Sequence, residues 1–431
     1  MNKKNNLSLF LIVIMALMVF VTACAGSKTT SESPAATEAP KATDASAVTV
    51  VPKPVEKVKL KVTTWAGAGE LREFEDVIKK VNDKSTAYVI EIQSIPADYY
   101  TKLQAMIAGK QAPDFMWLSQ EYIPQYASLG ALAPLNDQLS KVKEFKKDDY
   151  FDGAYNVGVF KGETYSLPWI SQPYMLYYNQ DMFEKANVAL PTNDWTWDDF
   201  MTAGKKLTQD GKWGALLNNL PLPMMLWSYG GDVFDKDGKI MLNTPESMKG
   251  LEMYQKIAKS GVAPERAQAD SMGGTDMFKT GKVAMFIGGA GDDLEKSTTG
   301  KIKMGMVVPP KGTKQATFSW IGVTAMSKTT KNPEIAAQAL VDMTKAVQDW
   351  KIPNPTKTGF DMISTVRPDK AYAADTIKKA AGVARGFNNQ PKQGEIDGAL
   401  WEKLVQPLEK GSDIKKAVDD TISKFNAVIK N

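Results

Sequence analysis

The sequence predicts an α/β protein with room for two lobes, each with its own core. Three observations carry this. Residues 58–117 run strand, helix, strand, helix, strand, the order of a parallel sheet joined by helical crossovers. The pattern restarts beyond residues 168–179, an aromatic stretch without charge that carries two prolines. The chain has 431 residues, 43% hydrophobic and 24% charged, a globular composition above the size at which single cores stop growing.

The N-terminus reads as an export signal. Lys3 and Lys4 precede an apolar run over residues 7–21, broken only by Ser8. The run is shorter than the ~20 residues a spanning helix needs. It ends at Val21-Thr22-Ala23-Cys24, which resembles a bacterial lipobox, and Cys24 is the only cysteine. Residues 1–23 are therefore expected to be a signal peptide and Cys24 the lipidated first residue of the mature chain. Residues 24–57 are rich in Ser, Thr, Ala, Pro and Lys and have no apolar period, as in a flexible tether.

From Val58 the period changes. Val58-Lys59-Leu60-Lys61-Val62 alternates as a strand does. Leu71, Phe74, Ile78 and Val81 follow at helical spacing, residues 88–92 form a second strand, and Tyr100, Leu103, Met106 and Ile107 mark a helix stopped by Gly109. Residues 113–117 are a short third strand. Between the first strand and helix, Gly67-Ala68-Gly69 is no dinucleotide fingerprint, because Leu71 and Arg72 stand where a third glycine is sought. It does permit close approach of a ligand to a helix N-terminus.

In residues 168–179, Pro173 removes a donor and holds Gln172 extended. Met175 to Tyr178 reads as a buried strand, and Trp169, Gln172 and Tyr174 as exposed beside a cleft. An ordinary core strand with a proline at its start fits the same residues. Thr196 with Asp199 is a helix-capping pair. Asp235-Lys236-Asp237-Gly238 is a hairpin turn; Val233 and Thr244 at the first and twelfth loop positions exclude calcium. Thr244-Pro245 opens a helix, residues 282–287, 304–308 and 318–323 read as strands, and Asn332-Pro333 starts a long helix. Ile414, Val418, Ile422, Phe425 and Ile429 close the chain with an amphipathic helix.

Composition removes several functions. There is no histidine, so no His-based triad or metal site exists, and a single cysteine gives no disulfide or thiolate cluster. No cofactor or metal is expected. The net charge is +4, two of those charges being Lys3 and Lys4, which gives no electrostatic argument for nucleic acid.

The order and spacing of several short segments carry a resemblance. They are Tyr100-Thr101-Lys102-Leu103 leading to Ala112-Pro113-Asp114, Gly162 to Pro168 leading to Tyr178-Asn179, Gly230-Gly231, Phe278 to Met285 with Gly281 between, and Asn332-Pro333-Glu334. With these the chain is similar to the extracellular solute-binding lipoproteins of bacterial ABC importers, within them to the sugar binders grouped around maltose-binding protein. The resemblance covers residues 58–431. It implies a two-lobe periplasmic-binding-protein-like fold, with residues 58–169 and 305–327 in one lobe and 170–304 and 328–431 in the other. It also implies a lipid-anchored monomer facing outside the cytoplasm. Such a protein captures a sugar or oligosaccharide between the lobes and delivers it to a membrane permease, without catalysis.

Carried over by position, Trp65 and Glu70 fall in the loop after the first strand. Trp117, Gln120 and Glu121 fall in the cleft loop after Pro113-Asp114, and Gln172 stands where maltose-binding protein has a carboxylate. Trp169, Trp227 and Trp320 are expected to face the sugar, with Arg367 as a polar contact. Flat rings suit the C–H face of a sugar and fixed polar groups suit its hydroxyl edge. Trp195, Trp197 and Trp213 are expected in the core. Gly291 stands where the family often has Trp, and Gln172 in place of a carboxylate argues against simply assuming maltodextrin as the ligand. Two other readings remain open: a secreted carbohydrate-active enzyme using Glu70 and Glu121 about 5–10 Å apart, and a peptide receptor of the same fold.

Overall fold

Strand β1 (Val58–Thr64) buries Leu60 and Val62, as its alternation requires. The computed structural model describes residues 56–298, 301–350, 353–387 and 389–430. The expected signal peptide, Cys24 and the tether up to residue 55 lie outside the described residues. Helix α1 (Ala68–Lys84) turns Phe74, Val77, Ile78 and Val81 inward. β2 (Tyr88–Ser94) and β3 (Phe115–Ser119), joined through α2 (Tyr99–Ala108), lie parallel on either side of β1.

The stretch read as an irregular lead into a strand is one strand throughout, β4 (Ser166–Asn179). Its prolines fit because neither sits mid-ladder. Pro168 borders a register shift that leaves Trp169 bulged out of the pairing. Pro173 stands at the end of pairing with β7 (Thr317–Met326), just before Tyr174 changes partner to β5 (Met285–Gly289). β6 (Met304–Val307) also pairs with β4, and β8 (Ala384–Arg385) with β7. The strand order is β2-β1-β3-β7-β4-β5, parallel at one end and antiparallel from β7 onward.

Helices α3 (Trp197–Leu207), α4 (Leu222–Ser228), α5 (Pro245–Ala258), α6 (Pro333–Trp350), α7 (Gln393–Leu400) and α8 (Ile414–Lys430) complete the α/β framework. The capping pair is a full box: Thr196 Oγ1 accepts from Asp199 N and Asp199 Oδ2 accepts from Thr196 N at 2.8 Å.

Of four apolar clusters among the described residues, the two largest share this sheet as its main cores. One gathers Leu60, Phe74, Ile78, Trp117 and Trp169 with Leu340 and Met343 of α6. The other gathers Leu176, Phe183, Trp197, Phe200, Leu251, Ile287 and Phe425. Trp197 is fully buried, while Trp195 and Trp213 are partly buried against the packed interior. The packing of two segments bears on the expected lobes. α6, assigned by the sequence to the second lobe, returns onto the half of β7 it follows: Tyr88 donates to Asp342 at 2.6 Å and Trp350 to Glu73 at 3.0 Å. Met306, Val307 and Phe318, assigned to the first lobe, pack with the second half of β4. Among the described residues no helix is long and apolar enough to cross a membrane.

Candidate functional site

β4 and β7 run from one core to the other, and Gln172 and Trp320 face each other across their ladder. Trp320 packs against both cores. Its Nε1 donates to Ser119 Oγ at 3.0 Å, and that hydroxyl donates to Glu121. Ser119 N donates to the hydroxyl of Tyr100, whose ring stacks on Tyr122 at 3.6 Å. Burial, then the Glu121 carboxylate, pushes the Tyr122 hydroxyl up. Gln120 is buried; its Nε2 donates to Ser319 O at 3.2 Å, and its Oε1 lies against Gly386, where a Cβ would overlap it.

Two expected cleft rings belong to the first core instead. Trp117 is 0% and Trp169 3% exposed, stacked on each other at 4.4 Å. Phe74 of α1 covers Trp117 at 4.7 Å, and the bulge at Trp169 accommodates its turn inward. Trp65 is half-buried beside them, 5.5 Å from Trp117 and 6.1 Å from Trp169. Glu70 is half-buried in the first turn of α1, whose N-cap, Gly67, has no side chain to cap it.

Beyond Gln172 the ligand-facing assignment changes again. The Gln172 amide lies against Gly289, whose N–H donates to Asp292 at 3.2 Å. Burial pushes the Asp292 carboxyl up, opposed by the nearby Lys370 ammonium. Arg367, expected to reach a ligand, is taken up by its own loop. It donates to Asp369 at 2.9 and 2.7 Å and to Gly291 O at 3.2 Å, and pairs with Asp293 at 2.8 Å. Lys370, buried, donates to Asp292 O and to Glu295, each at 2.6 Å. These two cations fasten the loop after β5.

A cleft of about 1290 Å³ opens beside this junction. Phe160 and Lys161, from a short hairpin before β4, line one side. Trp227, Asp232, Arg385, Phe387 and Asn389 line the other. Of the expected contact residues, Trp227 is the one that lines it. Trp227 Nε1 donates to Asp232 at 2.9 Å, and the Arg385 guanidinium lies over its ring at 4.1 Å while pairing with Asp232. Phe387 stacks on Phe318 at 4.4 Å, and Phe318 meets the edge of Tyr174 at 4.9 Å. Arg385 Nε and Asn389 Oδ1 are buried without a partner among the described residues. An unmet donor and acceptor beside aromatic rings suit a ligand that brings hydroxyls. Sequence reasoning missed Asp232, Arg385, Phe387 and Asn389. The one available signal was a glycine set between a cation and an aromatic ring, Arg385-Gly386-Phe387.

Comparison with known proteins places the chain. Residues 68–346 match the model of the bacterial extracellular solute-binding proteins. The galactooligosaccharide-binding protein of Bacillus subtilis is 24% identical over 343 residues, 74% of this chain and 77% of that protein. The arabinooligosaccharide-binding protein of Halalkalibacterium halodurans is 28% identical over 200 residues, 44% of this chain and 43% of that one. Among solved structures, an ABC substrate-binding protein of Listeria monocytogenes in complex with cycloalternan superposes with a TM-score of 0.71 at 23% identity, covering 87% of this chain and 100% of that one. The sugar-binding protein MalE of Xanthomonas citri gives 0.72 at 15% identity, with the same coverage. These likenesses carry the fold, and the match over most of the chain carries the family: this chain is a member of the bacterial extracellular solute-binding proteins.

Proposed function

We propose that the protein captures an oligosaccharide in the cleft between its two cores and hands it to an ABC permease, acting without catalysis, as a monomer. The observation that carries this is the cleft wall: Phe387 and Trp227 supply rings, with the unpartnered Arg385 Nε and Asn389 Oδ1 beside them. The cleft volume exceeds the ~300–1,000 Å³ of ordinary small-ligand pockets, which favours several sugar units over one. The sugar-binding relatives support the same reading. Trp65, Glu121, Gln172 and Trp320, gathered near the strand crossing, would meet the sugar as the cores close; Gln120 would position that edge.

Calorimetric titration with linear arabino-, galacto- and gluco-oligosaccharides tests this. If a bound sugar covers ~80 Å² of the Phe387 ring, the contact is worth about 2 kcal/mol, so Phe387→Ala should weaken binding roughly 30-fold. Arg385→Lys, which lacks the Nε donor, should also weaken it. Binding of no panel member, or native affinity in both variants, would refute the reading. Release of shorter products during incubation would refute the absence of catalysis.

We further propose that residues 58–169, the β3-paired half of β7 (residues 322–326) and α6 form one lobe, that the rest of the chain from residue 170 forms the other, and that Cys24 carries a lipid. Cys24→Ser should leave the folded part intact and detach the protein from membranes. Unchanged membrane attachment and mass would rule the anchor out.

A further inference from the structure

A second, smaller cavity of about 240 Å³ lies among α4, α5 and α7, away from the strand crossing. Its carbon walls come from Leu220, Leu222, Val233, Ile396, Leu400 and Val405. The polar side chains around it are already committed to one another. Arg266 donates to Glu409 at 2.5 Å through NH2 and to Asn218 O at 3.3 Å through NH1. Tyr254 donates to the same carboxylate at 2.9 Å, and the Asn218 amide donates to Asp270. Gln393 donates to Asp397 and accepts from Gln390 N, both at 2.8 Å. Asp232 accepts from Trp227 and from Val233 N and pairs with Arg385.

That bonding selects the occupant. A hydroxylated ring would leave water and compete with the bonds these side chains already make. An uncharged apolar ring gives up no hydrogen bonds. An apolar cavity of roughly 150 Å³ is enough to admit benzene, so this one has space for a single or fused ring.

A separate feature points to the same place. Directly after α7, residues Trp401–Val405 form a π-helical turn, a wide turn often found at functional sites. Trp401 and Val405 of that turn both line the cavity. Trp401 is 36% exposed and lies over the Arg266 guanidinium at 4.6 Å, where the cavity meets solvent. Asp232 and Phe387 line both this cavity and the large cleft, so the two spaces share a wall.

We propose that this chamber is a second binding site, for an uncharged aromatic or alicyclic ring, separate from the cleft. The chamber's own lining carries the inference, and only the glucose competition rests on the sugar reading. Ligand-observed NMR on the whole protein with benzene and indole as probes tests it. Both should bind. Leu400→Trp and Val405→Phe, which fill the chamber from its half-buried and its buried side, should each weaken binding at least tenfold, a thermal melt showing which variant is folded. Glucose should not displace indole. The proposal is overturned if neither probe binds the native protein, if a folded filled variant binds as the native protein does, or if glucose displaces indole, which would put the probe in the cleft.

Discussion

Trp117 and Phe387 show how one side-chain type divides between stability and recognition. Trp117 has no accessible face: Phe74 and Trp169 take its ring, and its indole N–H has no partner among the described residues. Trp117→Ala should therefore cost about 3–5 kcal/mol of stability, the range for emptying a large aromatic site in a packed interior. Chemical denaturation measures this directly. A melting temperature within a few degrees of the native value would mean that the ring is not core. Phe387 is the opposite case, with ring neighbours Phe318 at 4.4 Å and Trp227 at 5.7 Å and a position on the cleft wall. From sequence alone Trp117 is assigned by chain position after a strand, which cannot say whether a helix will lie over the ring, and Phe387 is not singled out at all. The expectation for Arg367 rests on chain position in the same way. A cation near a cleft looks free until the loop that bends toward it is known, and here Asp369, Asp293 and Gly291 O claim it.

At the scale of the element, α3 rests on a local device that the sequence did display. The Thr196 hydroxyl caps the third helical N–H while Asp199 returns to the Thr196 N–H. Thr196→Ala should cost about 1 kcal/mol. The hydrogen bonds from Thr196 hold the Asp199 carboxyl below its ordinary value. The unfolded chain then binds the proton more readily than the folded one. The contribution of Asp199 is thus complete above the ordinary carboxylate range and is lost as pH falls through its lowered folded value. The gap between melts of native and Thr196→Ala protein should narrow as pH falls, because the hydroxyl bond to the Asp199 carboxylate is lost while the cap bond to Asp199 N does not titrate; a gap unchanged as pH falls through the carboxylate range would contradict the assignment. β4 was less legible. Its prolines suggest an interruption, yet they sit at a bulge and at a change of partner, positions that depend on strands more than 100 residues away. Local pattern fixes period and cap, whereas partner changes are non-local.

On the scale of the whole molecule, the parallel β1–β3 unit and most helices followed from period and punctuation, while the unbroken run of β4 and the packing of α6 did not. α6 joins the first core because it follows β7 into that half, and a periodic pattern records which residues are buried but not against what. β4 and β7 are the strands common to both cores, so they are the natural hinge. Closure about them on a bound oligosaccharide, a mode known for binding proteins of this kind, should reduce the radius of gyration. Small-angle scattering with and without saturating ligand measures it, and identical curves would argue for a rigid cleft.

The position of Trp320 has an optical consequence. Its indole touches both cores, meets Trp169 edge-on at 6.3 Å and donates to the Ser119 hydroxyl that also serves Glu121. The excited state of an indole responds to nearby charge and to the polarity around its nitrogen. Any rearrangement that draws the two halves together alters both at this ring, so the protein carries a native chromophore at its moving seam. Ligand capture becomes readable as a change in emission, with no label attached and no residue replaced.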